Sequence, residues 1–505
     1  METQEKRKRH CWECRRRCLV CDFTEPTCKR CSASGIKCPG YNDAKPIKLE
    51  WLAPGRVKSR GRKRKKTLPG EVENGVVNTA TRLCRKPMLN PYMPFPRFEI
   101  KADTYVVPEC IEYFNSCIYR DLLPLCELGD NPHIYPLSVK HIRGASRAPD
   151  YLRLGMTCMI LGHRINRIRG ESESNGLVEK FYLYWGLAVA SLRDHLEMED
   201  GRKGDTMIAG IITLLLVDVQ LGTSLNWRCH LEALYELIML RGGFQAMTGS
   251  QVLKPILRCF WILAVIGDTT CPASDLSLMG SQLDTTNFLL EQYSEAMSPY
   301  YMCPLPLFAQ IIKINHLRMR ATKYIGNEAE ELSEEAYRTL QRVHDFLPEE
   351  WADSKRSSKD WLLIGSTYQA AVAIYLILSL QSLSVLPLTP ELSACCVMHS
   401  KLLRVLIGAG LSSLKTKRFM IWPLIILGVY AVHDSLALRT FVAKILPELS
   451  RDLGTSVPLT AKQVLESFWD SGETRWDACF SRPYVFTMQI AIDTAGLPHH
   501  PRSVG

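Results

Sequence analysis

From about residue 103 to 490, apolar residues recur at steps of three and four, the period of a helix with one buried face. The segment HLEALYELIMLR (230–241) shows it clearly. Leu231, Leu234, Tyr235 and Ile238 share a face, Glu232, Glu236 and Arg241 lie elsewhere, and Gly242-Gly243 supplies a stop. The same pattern predicts helices over 109–122, 178–196, 206–221, 305–320, 334–346, 361–384, 399–414 and 424–446. Alternating, strand-like stretches are few. The pattern therefore predicts a large all-α body over 103–490, followed by a short tail at 491–505. Three uncharged stretches stand inside it: Met207–Val217, Phe419–Val432 and Trp361–Pro390. The first two fall short of the roughly 18–20 apolar residues that cross a bilayer. The third carries Ser366, Thr367, Gln369, Ser379, Gln381 and Ser382. All three read as buried helices, and no membrane partner is expected.

Ahead of this body the periodicity disappears. Residues 42–102 read as a basic linker, with RVKSRGRKRKK at 56–66 and then KPMLNPYMPFPRF at 86–98, whose prolines rule out a continuous helix. Between 39 and 100 no apolar a/d repeat runs for three heptads, so a homodimer has no coiled-coil signature here. Residues 1–41 form a third segment, set apart by cysteine.

Composition is that of a globular protein, with 46% hydrophobic and 23% charged residues among 505. The net charge of +10 is unevenly placed. Residues 1–66 hold 20 Lys and Arg against 7 Asp and Glu, whereas the remainder holds 42 against 45. A basic head on a near-neutral body points to a polyanion met by the head alone. Of 19 cysteines, seven lie within 11–38 and twelve between Cys84 and Cys479. The polar start METQEKRKRH has no apolar secretory core, so reduced thiols are expected rather than disulfides. The later twelve, the adjacent Cys395 and Cys396 included, read as small buried hydrophobes. His230, His433, His499 and His500 read as core or tail histidines. G-x-S-x-G, P-loop, H-E-x-x-H and dinucleotide motifs are absent from the sequence, and nothing in it points to an enzyme.

The chemistry concentrates in CWECRRRCLVCDFTEPTCKRCSASGIKCPGY, residues 11–41. Leaving out Cys18 gives C-x2-C-x6-C-x6-C-x2-C-x6-C, two matching halves built from Cys11, Cys14, Cys21, Cys28, Cys31 and Cys38. Three thiolates per half are one too few for a closed tetrahedral zinc site. If one cysteine of each half is shared, two ions reach four sulfurs each. Cys18 reads as an exposed, non-ligating thiol. Its place one helical turn from Cys14 leaves competition for metal as the alternative.

These residues resemble the fungal binuclear Zn2Cys6 cluster family of transcription factors. The resemblance rests on the six cysteines, the run Arg15-Arg16-Arg17 after the second, Asp22 after the third and Pro26 two before the fourth. It implies a small two-helix cluster holding two zinc ions per chain, with Cys11 and Cys28 as the bridging pair. It also implies a helix after Cys14 that enters the DNA major groove, commonly over a CGG triplet. Arg15, Arg16, Arg17, Lys29 and Arg30 are the implied DNA contacts. Family members usually carry Lys or Arg at the position of Cys18, and often Lys at that of Val20. A thiol forfeits the bidentate contact to guanine that is worth about 1–3 kcal/mol of discrimination.

The body resembles the all-helical regulatory domain that accompanies many such clusters, through LLLVDVQLGTSLNWRCHLEALYELIMLRGG (214–243), WPLIILGV (422–429) and Trp476-Asp477. The runs Lys6, Arg7, Lys8, Arg9 and Arg62, Lys63, Arg64, Lys65, Lys66 suit phosphate contact and nuclear import; a solvated linker is the plain alternative. The expectation is a nuclear, zinc-dependent, sequence-specific DNA-binding regulator of RNA polymerase II transcription, serving a pathway-specific gene set such as a biosynthetic cluster. Its expected partners are double-stranded DNA with CGG-containing sites, the transcription machinery and, as a homodimer, a second copy of the chain. The competing reading is a zinc-cluster co-regulator or protein-interaction module in which Cys18 and Val20 have weakened base readout. A small-molecule effector pocket is compatible with the apolar body, whose faces core packing explains first.

Overall fold

The computed structural model describes Cys11, Cys14, residues 21–24, 26–33 and 38, and then 103–487 except 130–133, 139–140, 142–147, 171–173, 199–203, 223–226, 248–252, 277–302 and 324–328. The chain divides into two units, Met1–Pro94 and Phe95–Gly505. In the first, α1 (Lys29–Ala33) is a single short helix. The second is helical, with no strand among the described residues.

Its first helix, α2 (Asp103–Tyr113), widens into a π turn at Phe114–Ile118 before α3 (Tyr119–Leu122), where the sequence predicts one helix over 109–122. Then follow α4 (Asp150–Arg167), α5 (Ser174–Glu197), α6 (Asp205–Leu221), α7 (Trp227–Leu240), α8 (Gly243–Met247), α9 (Lys254–Thr269) and α10 (Leu305–Lys323). The later part comprises α11 (Ala329–His344), α12 (Pro348–Asp353), α13 (Ser358–Ser382), α14 (Pro390–Leu411), α15 (Ile421–Tyr430), α16 (Leu436–Leu453), α17 (Val457–Ser471) and α18 (Trp476–Cys479). Helices α4, α8, α9, α12, α17 and α18 are additions to the predicted set.

Two boundaries differ for readable reasons. Helix α14 begins at Pro390 rather than 399, because Thr389 caps it by accepting from the Leu392 amide at 3.3 Å and Pro390 occupies the first turn. The predicted 424–446 helix breaks between α15 and α16, where Asp434 and Ser435 turn extended. Short polar side chains there compete for the helical backbone. Arg439 closes the gap by donating to the carbonyls of Ala431 and Val432 at 3.2 and 3.4 Å.

Helix α13 is apolar on every side because it is surrounded. Sixteen of its 25 residues are buried, and α10, α11, α12, α14 and α15 pack around it. The stretches over 207–217 and 419–432 are buried as expected. By length and composition α13 and α14 both reach the span of a bilayer; α13 is 72% buried over its apolar window and α14 only 33%. On α14, Met398, Leu402 and Val405 are exposed.

The centre is fastened by one buried cation. Arg318 of α10 is fully buried and donates to the carbonyls of Asp268 (2.9 Å) and Cys271 (2.8 Å), to the Tyr375 hydroxyl (3.1 Å) and to the Asp477 carboxylate (2.9 Å). Asp477 also accepts from the Ala273 amide and the Ser382 hydroxyl, each at 2.9 Å. Trp422 and Trp476 both donate to Thr269, at 2.9 and 3.2 Å, and both rings pack on Tyr375. The WPLIILGV stretch and the Trp476-Asp477 pair are thus joined at the end of α9.

A second knot gathers α4, α6 and α16. Gly454 ends α16 at φ +62°, and its carbonyl accepts from Asn166 (3.3 Å) and Gln220 (3.2 Å). A Cβ there would lie 2.2 Å from the buried ring of His163. Gly454→Ala should destabilise this unit by about 2–4 kcal/mol, combining left-handed backbone strain with overpacking. A urea titration followed by circular dichroism measures it.

Candidate metal centre

Among the described residues of the N-terminal unit, the buried interior is almost entirely sulfur. Cys11, Cys14, Cys21, Cys28 and Cys31 are buried, with Phe23 and Cys38 packed against them. Their thiols form two groups of four, Cys11/Cys14/Cys21/Cys28 and Cys11/Cys28/Cys31/Cys38, with the sulfurs of each group within 4.8 Å of one another. Cys11 and Cys28 belong to both.

Sulfur separations are 3.6 Å for Cys11–Cys28, 3.7 Å for Cys11–Cys31 and 3.6 Å for Cys14–Cys28. A disulfide would need about 2.05 Å. Four sulfurs at about 2.3 Å from a tetrahedral ion stand roughly 3.8 Å apart. The donor set therefore fits a thiophilic metal in each group and does not fit a bridge between cysteines.

The halves repeat each other. The Cys14 amide donates to Cys11 sulfur at 3.4 Å, and the Cys31 amide donates to Cys28 sulfur at 3.3 Å. Each shared sulfur thus receives the amide three residues on. Cys28 opens onto α1, whose entry is set by Asp22: its carboxylate accepts from the Lys29 amide at 3.0 Å and the Thr24 hydroxyl at 2.9 Å. Desolvation pushes the Asp22 carboxyl up, but the hydrogen bonds from Thr24, Lys29 and neighbouring backbone together outweigh it and lower the group below its usual range. Desolvation raises the thiols of Cys11, Cys14 and Cys31, the last to about 12.

Lys29 and Arg30 are exposed on α1. Arg15, Arg16, Arg17, Cys18, Val20, the runs 6–9 and 62–66, and the first of the two expected short helices lie outside the described residues.

In the helical unit, His230 pairs with Asp218 at 3.3 Å. Seven later cysteines are buried: Cys110, Cys158, Cys259, Cys271, Cys303, Cys396 and Cys479. Cys117, Cys126 and Cys395 are half-buried and Cys229 is exposed, against that expectation; of these, Cys395 groups with His344 and His399. Sequence spacing alone did not flag this trio, because His344 lies some fifty residues away; the Cys-x3-His step from 395 to 399 was its one local sign.

A model of the fungal specific transcription factor domain matches residues 166–482. The chain is 47% identical over 493 residues to the phomenoic acid biosynthesis cluster-specific transcriptional regulator of Leptosphaeria maculans, covering 97% of this chain and 91% of that protein. It is also 46% identical over 44 residues to arginine metabolism regulation protein II of Saccharomyces cerevisiae, covering 9% of this chain and 4% of that protein. No solved structure gives a significant match. The chain belongs to the fungal-specific transcription factor family, and is a transcriptional regulator.

Proposed function

We propose that this chain is a nuclear, zinc-dependent, sequence-specific DNA-binding factor that regulates RNA polymerase II transcription of a pathway-specific gene set, such as a biosynthetic cluster. The observation that carries this reading is the pair of four-thiol groups sharing Cys11 and Cys28, set in the most basic part of the sequence. The likeness to a regulator named for a biosynthesis cluster supports the choice of gene set.

In this reading Cys11, Cys14, Cys21 and Cys28 hold one zinc ion, and Cys11, Cys28, Cys31 and Cys38 hold a second. Zinc supplies a rigid fold to a segment whose buried interior is sulfur. Arg15, Arg16 and Arg17 approach base edges, with Arg17 the best placed after the loss of a basic residue at Cys18. Lys29, Arg30 and the 56–66 run meet phosphates. Lys6 to Arg9 and Arg62 to Lys66 direct import.

The test is a binding titration of the full chain against CGG-containing and scrambled duplexes at fixed salt, with and without a zinc chelator. A CGG preference that vanishes on chelation is expected. Equal affinity for both duplexes sides instead with a co-regulator that holds DNA through phosphates alone. Cys18→Lys should sharpen the preference by about 1–3 kcal/mol, as a regained guanine contact would. Cys18→Ser should leave zinc content unchanged, because the two thiol groups already give each ion four sulfurs without it.

A further inference from the structure

His344 is the last residue of α11, and Cys395 and His399 stand one turn apart on α14. The Nε2 atoms of His344 and His399 are 3.2 Å apart, and Cys395 Sγ lies 3.8 Å from the same His344 Nε2. All three donor atoms fall within 4.8 Å of one another.

An imidazole nitrogen offers one proton or one lone pair. His344 Nε2 therefore satisfies His399 or Cys395 with a hydrogen bond, but not both. A single cation satisfies all three. With bonds of about 2.0–2.1 Å to nitrogen and 2.3 Å to sulfur, a tetrahedral ion places two nitrogens roughly 3.3 Å apart, and nitrogen and sulfur roughly 3.6 Å apart. The observed 3.2 and 3.8 Å are close to these values.

The supports are stiff. Gln369 of α13 donates to the carbonyls of Val343 (2.9 Å), His344 (3.3 Å) and Phe346 (2.7 Å), fixing the end of α11. Thr389 caps α14. Burial lowers His344, lowers His399 to about 4 and raises the Cys395 thiol, so metal binding here has to displace the thiol proton. Cys395 is half-buried, which leaves a path from solvent.

We propose that His344, Cys395 and His399 form a further metal site, separate from the N-terminal thiols, that takes a zinc-type divalent cation. One thiolate and two neutral imidazoles are a donor set that zinc favours over magnesium or calcium. Three protein ligands leave a fourth position for water or an incoming donor. On binding, the Cys395 thiol releases its proton to solvent and its sulfur ties α14 to α11.

The experiment uses the reduced full chain, stripped by chelation, reloaded with zinc, desalted and assayed for metal. A Cys11→Ser/Cys28→Ser chain, disabled at the N-terminal groups, is expected to retain one zinc ion per chain. Adding Cys395→Ser should remove it, while circular dichroism shows the helical unit intact. Cobalt loaded in place of zinc should give a thiolate charge-transfer band that Cys395→Ser abolishes and His344→Asn shifts or abolishes. The proposal is overturned if the Cys11→Ser/Cys28→Ser chain retains none, or if Cys395→Ser leaves metal content and cobalt spectrum unchanged. Because the reading is a difference at Cys395, it stands or falls independently of the N-terminal zinc pair.

Discussion

Cys28→Ala is expected to strip the N-terminal unit of the two zinc ions proposed for it and to abolish the proposed preference for CGG-containing DNA. Cys28 belongs to both thiol groups, and its sulfur also receives the Cys31 amide. Cys38→Ala should behave differently, since Cys38 belongs to only one group, and the first ion keeps its four sulfurs. Structural zinc contributes roughly 10–16 kcal/mol to folding in small metal-dependent segments, far more than this unit can recover from Phe23. Specific affinity in the Cys28→Ala chain should therefore drop by about 10³-fold or more, towards nonspecific binding. Elemental analysis and duplex titration measure the two effects together. Equal zinc loss in the two variants would contradict the shared arrangement.

Asp477→Ala carries the largest expected effect on the helical unit. It leaves Arg318 fully buried with its charge uncompensated and orphans the Ala273 amide and Ser382 hydroxyl. Breaking one side of such a pair costs about 3–5 kcal/mol. Asp477→Asn keeps an acceptor for those donors, and should cost visibly less. Denaturant midpoints of the three proteins, followed by helical signal, give the comparison. A loss below about 1 kcal/mol for Asp477→Ala would place the pair among surface ion pairs and refute its central role.

The parts legible in the sequence were those written at short range. The repeated C-x2-C spacing marks the six cysteines as a candidate metal-binding set by itself, whereas the sharing of Cys11 and Cys28 was expected only from the family resemblance. HLEALYELIMLR gives α7 almost to its ends, since its apolar residues hold one face. Helix α13 was found by its length alone; buried on all sides, it has no polar face to set its period. Helix α9 was missed for a related reason: its run FWILAVIG is nearly all apolar. The break before α16 turns on Asp434 and Ser435, weak signals beside a long apolar run. The His344–Cys395–His399 group was illegible because its members meet only when α11 and α14 pack, a long-range event that local spacing does not record. Arg318 looked like any other arginine, and only its partner Asp477, 159 residues away, reveals its place.

That separation has a consequence during synthesis. Ribosomes add about 5–20 residues each second, so Asp477 follows Arg318 out by roughly 8–30 seconds. Until then α10, and α13 once residues 358–382 have been made, stand without Trp476 to cover Tyr375 and without an anion for the arginine. The nascent chain thus holds a half-built interior with a bare charge at its centre, and cannot close it until nearly the last helix has emerged. Such a chain would depend on holding chaperones while it is made, and a ribosome stalled anywhere before residue 477 would release a product fit only for degradation.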